Sequence, residues 1–253
     1  MNIGYILGPA GSGKSQLTRS VFDWMNQLEY DVVTLNLDPA VVRLPYAPDI
    51  DVRQFVDYDD IIQKYELGPN GGIIVAMDHV ALAIDQILEE VQNYGAEYVI
   101  VDFPGQIETI AFRSSGAVII NELSKGNMTS GSFLIDPTLC NTASSFISVL
   151  LFGVSVTFRL HIPMNYIITK SDVINPSRLD RIGDWGINPG FLFEDLKNEN
   201  FIMNAELSRQ IADIVIGLGQ LGEFPAISSQ TNENLDMVFG SMQRHWNSED
   251  VLQ

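Results

Sequence analysis

The segment Gly8–Ser15, GPAGSGKS, is the strongest indication of the fold, because it matches the pattern G-x-x-x-x-G-K-[S/T] between an apolar run and a helical pattern. The apolar run Ile3–Leu7 precedes it, and a helical pattern, Lys14–Leu28, overlaps its end. Glycines let the backbone curl so that successive N–H groups face inward, and a helix start adds positive partial charge. The segment therefore predicts a phosphate-binding loop between a strand and a helix. The residues expected around the phosphates are Gly11, Ser12, Gly13, Lys14, Ser15 and Gln16.

Strand-like apolar runs alternate with helical patterns along the rest of the chain. The predicted strands are Ile3–Leu7, Asp31–Asn36, Tyr98–Asp102, Ser132–Asp136 and Asn165–Thr169. The predicted helices are Lys14–Leu28, Tyr58–Tyr65, Ile73–Tyr94, Thr138–Leu160 and Asn204–Leu218. Such alternation favours right-handed crossovers and a parallel sheet. We therefore expect a three-layer α/β fold of the P-loop type, a mainly parallel sheet with helices on both faces.

The length of 253 residues suits one sizeable domain, and no internal repeat or low-complexity linker divides it. We expect a single domain over residues 1–253, with an insertion around 55–72 and an irregular helical insertion around 173–203. The stretch Pro137–Phe158 is uncharged for 22 residues but contains many small polar side chains. It is interpreted as a buried helix rather than a membrane span.

The charge balance restricts the partners of this chain. It has 14 Lys and Arg against 32 Asp and Glu, a formal net charge of −18, which argues against direct binding to DNA or RNA. One cysteine and three widely separated histidines exclude a disulfide and give no zinc-site pattern. The first residues show no basic, cleavable leader, so a cytoplasmic protein with no membrane association is expected.

Acidic residues follow two of the predicted strands. Asp102 ends the run YVIVD and begins Asp-Phe-Pro-Gly, while Asp38 follows the run VVTLN. The carboxyl ends of parallel strands meet at one edge of a sheet, beside the phosphate-binding loop. We expect Ser15 and Asp102 to hold Mg²⁺, the second through water, and Gly105 to approach a γ-phosphate.

The segment Thr169-Lys170-Ser171-Asp172 ends another predicted strand and addresses the choice of base. A carboxylate here can accept both N1–H and N2–H of guanine, a paired contact that adenine does not offer. Thr169, Lys170 and Asp172 are therefore predicted to bind the base of GTP. Backbone N–H groups of Ser228 and Ser229 are weaker candidates for contact with guanine O6, since a plain turn explains them equally well.

Together, GPAGSGKS, NLDPA, GPNGG, DFPGQIE and TKSD resemble the motifs of the GPN-loop GTPases, in order and spacing, over nearly the whole chain. The resemblance implies GTP hydrolysis with Mg²⁺ by a homodimer that forms through the face carrying the loop Gly68-Pro69-Asn70. In such a dimer the loop reaches the partner's site, and Asp38, Gln106 and Glu108 shape the site where water attacks. It also implies an assembly or chaperone role, with RNA polymerase subunits as clients in eukaryotic relatives.

Three alternatives remain open from the sequence. A metal-insertion GTPase of the same branch would need more His and Cys than this chain has. A small-molecule P-loop kinase would not need the TKSD segment, and a septum-type ATPase usually carries an additional early lysine where Pro9 and Ala10 stand. Arg43, five residues after Asp38, is a candidate arginine finger, although a surface or interface ion pair is the simpler interpretation.

Overall fold

Six parallel strands form one sheet in the computed structural model, which describes residues 1–199, 205–217 and 222–247. The strands are β1 (Asn2–Leu7), β2 (Val32–Asn36), β3 (Ile50–Asp51), β4 (Tyr98–Asp102), β5 (Met128–Ile135) and β6 (Met164–Ile168). Their order across the sheet is β3-β2-β4-β1-β5-β6. The fold class predicted from sequence is therefore confirmed.

Helices cover both faces of the sheet, as parallel strands require. The helices are α1 (Lys14–Gln27), α2 (Tyr58–Tyr65), α3 (Pro69–Leu82), α4 (Ile84–Tyr94), α5 (Glu108–Ala111), α6 (Ser114–Ser124), α7 (Ala143–Leu160), α8 (Pro176–Ile187), α9 (Pro189–Asn198), α10 (Ala205–Gly217) and α11 (Leu235–Trp246). Buried side chains of α1 and α11 pack on one face of the sheet, and those of α3, α4, α6 and α7 pack on the other.

The strand register brings the predicted polar residues to one edge. Asp102 at the end of β4 is paired with Ile6 of β1 on one side and Asn36 of β2 on the other. On the far side of β1, Leu7 is paired with Phe133 of β5. Segments that leave β1, β2, β4 and β5 therefore start close together, which is the condition for a shared site.

Several elements differ from the sequence predictions. The predicted helix over 73–94 is two helices, α3 and α4, whose axes differ by 63°. Ala83 lies at the break and donates its N–H to the carbonyls of His79 and Val80, which completes the end of α3. The short strand β3 and the helices α6 and α11 were missed, because their apolar side chains are buried by partners distant in sequence.

The two predicted insertions contain regular structure. Residues 55–72 include α2 and the beginning of α3, where Gly68 is the N-terminal cap and Pro69 the first helical residue. Proline suits this position because its missing N–H would have no helical partner. Residues 173–199 contain α8 and α9, each preceded by an asparagine whose side chain caps the helix. Residues 200–203 of the second insertion lie outside the described residues.

The helix α7 is long and apolar enough to cross a membrane, and the bent pair α3 and α4 passes the same test together. In α7, however, Phe146 is fully buried and its ring packs against Trp185 and Phe224. Thr142 and Ser145 form a reciprocal capping box at the start of the helix. These contacts are those of a core helix, in line with the interpretation of Pro137–Phe158 from sequence.

Candidate nucleotide-binding site

The loop between β1 and α1 has the backbone shape that its glycines predict. Gly8, Gly11 and Gly13 have φ values of 152°, 75° and 96°, which residues with a Cβ rarely adopt. Gly13 is also the N-terminal cap of α1, so the helix begins at Lys14. The Lys14 Nζ donates hydrogen bonds to the carbonyl oxygens of Gly8 (3.0 Å), Pro9 (2.9 Å) and Gly105 (3.0 Å). The loop is therefore curled around a lysine whose ammonium group links it to the segment after β4.

Asp102, predicted to hold Mg²⁺ through water, is buried at the end of β4. Its Oδ2 accepts a hydrogen bond from the Tyr46 hydroxyl at 3.1 Å, while its Oδ1 is buried with no hydrogen-bond partner in the described part of the chain. Burial raises the pKa of Asp102 to about 6, although the Ser15 and Tyr46 hydroxyls and the charge of Lys14 act against this shift. An unpartnered buried carboxylate oxygen beside the Ser15 hydroxyl fits a hydrated divalent cation.

Asp38 lies between the phosphate-binding loop and the segment after β4. Its Oδ1 accepts the N–H of Ala40 at 2.9 Å, and its Oδ2 accepts the N–H of Gly105 at 3.4 Å. Burial raises the pKa of the Asp38 carboxyl, and the N–H groups of Ala40 and Gly105 and the charge of Lys14 partly offset that effect. The carboxylate predicted to act on water is thus held at the edge where β2 and β4 end.

A buried brace that sequence analysis missed supports the Asp38 segment. Asn36 Oδ1 accepts the N–H of Asp38 at 3.0 Å, and Asn36 Nδ2 donates to Asp51 Oδ1 at 2.9 Å. Asp51 in turn pairs with Arg53 through both carboxylate oxygens, and Arg53 Nη1 donates to the carbonyl of Val41 at 3.0 Å. In the sequence, the polar Asn36 at the end of an apolar strand is the signal that could have indicated this hydrogen-bond network.

A cavity of about 600 Å³ opens beside these groups. The phosphate-binding loop forms one wall, from Gly11 to Gln16, with Phe103 and Gly105 adjacent to it. Asp38, Val41, Arg43, Leu44 and Pro45 also line the cavity. The side chain of Phe103 packs edge-on against Tyr5 with the ring centroids 5.8 Å apart. The cavity has the shape and the donors expected for the phosphates of a nucleotide.

A second cavity, of about 420 Å³, lies on the other side of the same loop. Its lining residues are Ser12, Gly13, Gln16, Thr169, Lys170, Asp172, Val173, Ser229 and Gln230. Asp172 Oδ1 accepts a hydrogen bond of 2.6 Å from the Ser228 hydroxyl, which in turn accepts the N–H groups of Gln230 and Thr231. The predicted residues Thr169, Lys170, Asp172 and Ser229 therefore line one cavity, and Ser228 contacts Asp172 through its hydroxyl while its N–H donates to the carbonyl of Glu233. Contact of the Ser228 and Ser229 N–H groups with guanine stays a prediction.

Thr169 and Lys170 connect the base cavity to the backbone of the phosphate-binding loop. The Thr169 hydroxyl donates to the carbonyl of Ser12 at 3.1 Å, and Lys170 Nζ donates to the carbonyl of Gly11 at 2.7 Å. Lys170 also forms an ion pair of 2.6 Å with Asp136. Although burial acts to raise the pKa of the Asp136 carboxyl, hydrogen bonds from Lys170 and Thr138 hold it below its usual range. Asp136 was not predicted as part of the site.

The roles of three residues named by resemblance, Asn70, Gln106 and Glu108, stay predictions. Asn70 is exposed in the first turn of α3 and does not line either described cavity. Gln106 follows Gly105 but is not among the residues that line the phosphate cavity. Glu108 begins α5, and its side chain lies outside the part of the chain that the structure describes.

Comparisons with known proteins agree with this geometry. The sequence model of a family described as "Conserved hypothetical ATP binding protein" matches residues 6–247. GPN-loop GTPase 1 of Dictyostelium discoideum is 33% identical over 172 residues, which cover 67% of this chain and 43% of that protein. A GPN-loop GTPase of Arabidopsis thaliana is 29% identical over 245 residues, or 91% and 64% of the two chains. The chain thus spans about half the length of these relatives.

A solved structure gives the same result over the whole fold. The apo form of a GTPase from Pyrococcus abyssi superposes with a TM-score of 0.86 at 25% sequence identity and covers 98% of each chain. The family description names ATP, whereas these relatives are named GTPases. The family match over residues 6–247 and the joining of the motifs around one site lead to one conclusion: this chain belongs to the GPN-loop GTPase family.

Proposed function

We propose that this protein binds GTP with Mg²⁺ and hydrolyses it to GDP and phosphate. The observation that carries the proposal is the arrangement of the base cavity. Asp172 is exposed to that cavity but fixed by Ser228, and it leaves carboxylate lone pairs for the N1–H and N2–H of guanine. A buried acceptor without partners costs a few kcal/mol, so such a site discriminates strongly against adenine.

The phosphate cavity supplies the groups that hydrolysis needs. Lys14 and the N–H groups of the glycine-rich loop would hold the phosphates, and Ser15 and Asp102 would hold Mg²⁺. When bound, Mg²⁺ would neutralise phosphate charge. Asp38, which faces the same cavity and whose pKa is raised, is placed to orient a water molecule and accept its proton.

We further propose a homodimer in which Asn70 serves the partner's site. Asn70 lies on the surface of its own chain at the start of α3, and α3 packs against α6. Apolar side chains are exposed on both helices, with Leu82 of α3 83% exposed and Val118 of α6 44% exposed. Such a face favours burial against a second copy, because isolated apolar patches cost free energy in water.

The family resemblance alone supports a biological role as an assembly factor or chaperone for larger complexes. A dimer whose shape follows its nucleotide state would bind and release a client protein. Affinity purification of the protein held in its GTP state, compared with its GDP state, would identify clients. Enrichment of the same proteins in both states would contradict a nucleotide-controlled role.

The direct test of the activity is phosphate release by the purified protein from GTP and from ATP, each with Mg²⁺ and with excess chelator. We expect release from GTP that is faster than release from ATP by about 10²-fold or more and is abolished by the chelator. Equal rates with the two nucleotides would contradict the assignment of Asp172 to guanine. No release from either would contradict hydrolysis.

A further inference from the structure

Arg43 lines the phosphate cavity together with residues of the phosphate-binding loop. It lines the same cavity of about 600 Å³ as Lys14, Ser15, Asp38 and Gly105. The residue lies on the loop that joins β2 to β3, and its neighbour Val42 is 89% exposed. Arg43 therefore has both access to the cavity and room to move its guanidinium group.

The side chain of Arg43 makes no hydrogen bond or ion pair with any residue that the structure describes. The absence of an acidic partner for Arg43 among the described residues is unusual in a chain that has 32 acidic and 14 basic residues. Arg53, ten residues later, shows the opposite behaviour, since both of its arms are engaged by Asp51 and by the carbonyl of Val41. Arg53 therefore anchors the loop, while Arg43 is left available to a ligand.

The charges around the phosphate cavity favour an anionic ligand for Arg43. Among the described residues, two cationic side chains, Lys14 and Arg43, line it, against one carboxylate, Asp38. A guanidinium group matches phosphate oxygens with two parallel hydrogen bonds and keeps its proton at every physiological pH. Arg43 is thus chemically suited to the terminal phosphate of a nucleotide bound by Lys14 and Ser15.

We propose that Arg43 contacts the γ-phosphate of GTP bound in the same chain and stabilises the negative charge that develops during hydrolysis. The inference rests on the proposed function. The oxygen of water bonds to the γ-phosphorus while the bond from that phosphorus to the β,γ-bridging oxygen breaks. The bridging oxygen keeps the electron pair and leaves on GDP. The proton that Asp38 accepts from the water returns to the released phosphate, which leaves as H₂PO₄⁻. Arg43 transfers no proton and acts through charge and hydrogen bonds alone.

The test compares Arg43→Ala with a matched loss of charge elsewhere. Arg19→Ala is the control, because Arg19 is half exposed on α1 and pairs with Asp23. We expect Arg43→Ala to lower kcat for GTP by about 10²-fold, with GDP affinity unchanged, since groups that act on transition-state charge have effects of this size. Arg43→Lys should recover only part of the rate, because lysine keeps the charge but cannot form the two parallel hydrogen bonds of a guanidinium group. Arg19→Ala should stay within about twofold of the wild type.

A binding measurement separates a catalytic role from general weakening. GDP with aluminium fluoride and Mg²⁺ imitates the transferring phosphate, and the wild type should hold it more tightly than GDP alone. Arg43→Ala should lose this gain while still binding GDP. Equal kcat values for Arg43→Ala and Arg19→Ala, or retention of the aluminium fluoride complex by Arg43→Ala, would overturn the inference. Absence of GTP hydrolysis by the wild type would instead contradict the proposed function itself.

A mixing experiment tests whether Arg43 acts in its own chain. Chains with Arg43→Ala and chains with Lys14→Ala are mixed, and mixed dimers are isolated by two different affinity tags. If Arg43 acts within its own chain, the mixed dimers should be no more active than Arg43→Ala alone. Recovery of activity in the mixture would show that the arginine serves the partner and would overturn this part of the inference.

Discussion

The base cavity and the phosphate cavity of this protein share one loop but differ in how complete they are within one chain. Around the base cavity, the Ser228 hydroxyl donates to Asp172 and accepts the N–H of Gln230, and Lys170 donates to the carbonyl of Gly11. Beside the phosphate-binding loop, Asp102 has an unpartnered carboxylate oxygen, and Arg43, which lines the phosphate cavity, makes no hydrogen bond or ion pair with the described residues.

This difference indicates which part of the site is preorganised before a ligand binds. We expect the base cavity to select guanine with little rearrangement, because Asp172 is already oriented by Ser228. The phosphate cavity has groups that await a cation, a nucleotide and, in our proposal, Asn70 of a second chain. Recognition is therefore expected to be a property of the single chain, whereas turnover is expected to depend on what binds to it. The following predictions test that separation.

The largest effect is expected from Lys14→Ala. The ammonium group lines the phosphate cavity and links the loop to Gly105. Its removal should lower GTP turnover by about 10³-fold or more, because no other group in the loop can neutralise the β- and γ-phosphates. Steady-state phosphate release measures the loss, and circular dichroism checks that the fold is retained. A folded variant with normal turnover would remove Lys14 from the site.

The next effect is expected from Asn70→Ala, which leaves both described cavities of its own chain intact. GTP affinity and dimerisation should be unchanged, while turnover per chain should fall by about 10²-fold, as for the loss of one preorganised donor. Turnover should also fall on dilution in the wild type when the dimer dissociates. Sedimentation and rate measurements over the same dilution series check this. A constant rate per chain in monomers would mean that Asn70 has no role across an interface.

A change confined to the base cavity is expected from Asp172→Ala. Loss of the two hydrogen bonds to guanine should weaken GTP binding by about 3 kcal/mol, or roughly 10²-fold, while turnover at saturating GTP stays near normal. Titration with fluorescent GTP and ATP analogues measures the effect. The comparison between the two cavities fails if saturating turnover falls as much as affinity does.

The smallest effect is expected from Ser228→Ala, which removes the hydroxyl that orients Asp172 but leaves the carboxylate. A single hydrogen bond to a charged group contributes about 1.5 kcal/mol, so GTP affinity should fall roughly tenfold, with selectivity over ATP reduced in proportion. Ser229→Ala is the matched control, because the hydroxyl that donates to Asp172 belongs to Ser228 and is kept in this variant. Equal affinities for the two variants would show that Ser228 does not position the carboxylate.

Local sequence patterns determined the chemistry that contiguous residues carry. The phosphate-binding loop, the strand ends at Asp38 and Asp102, and the Thr169–Asp172 segment were all predictable, because glycine dihedrals and strand periodicity depend on near neighbours. The parallel sheet followed from the alternation of the elements for the same reason. These features place the groups that bind nucleotide at one edge, whatever the details of packing.

Tertiary structure alone decided which distant residues complete the site. Arg53 and Asp51 brace the Asp38 segment, and Asp136 holds Lys170. None of these pairings has a signature in sequence, because a contact between residues far apart in the chain depends on strand order and on the path of the intervening loops. The same packing divided one predicted helix into α3 and α4 and placed Asn70 on the surface of its own chain, outside both described cavities.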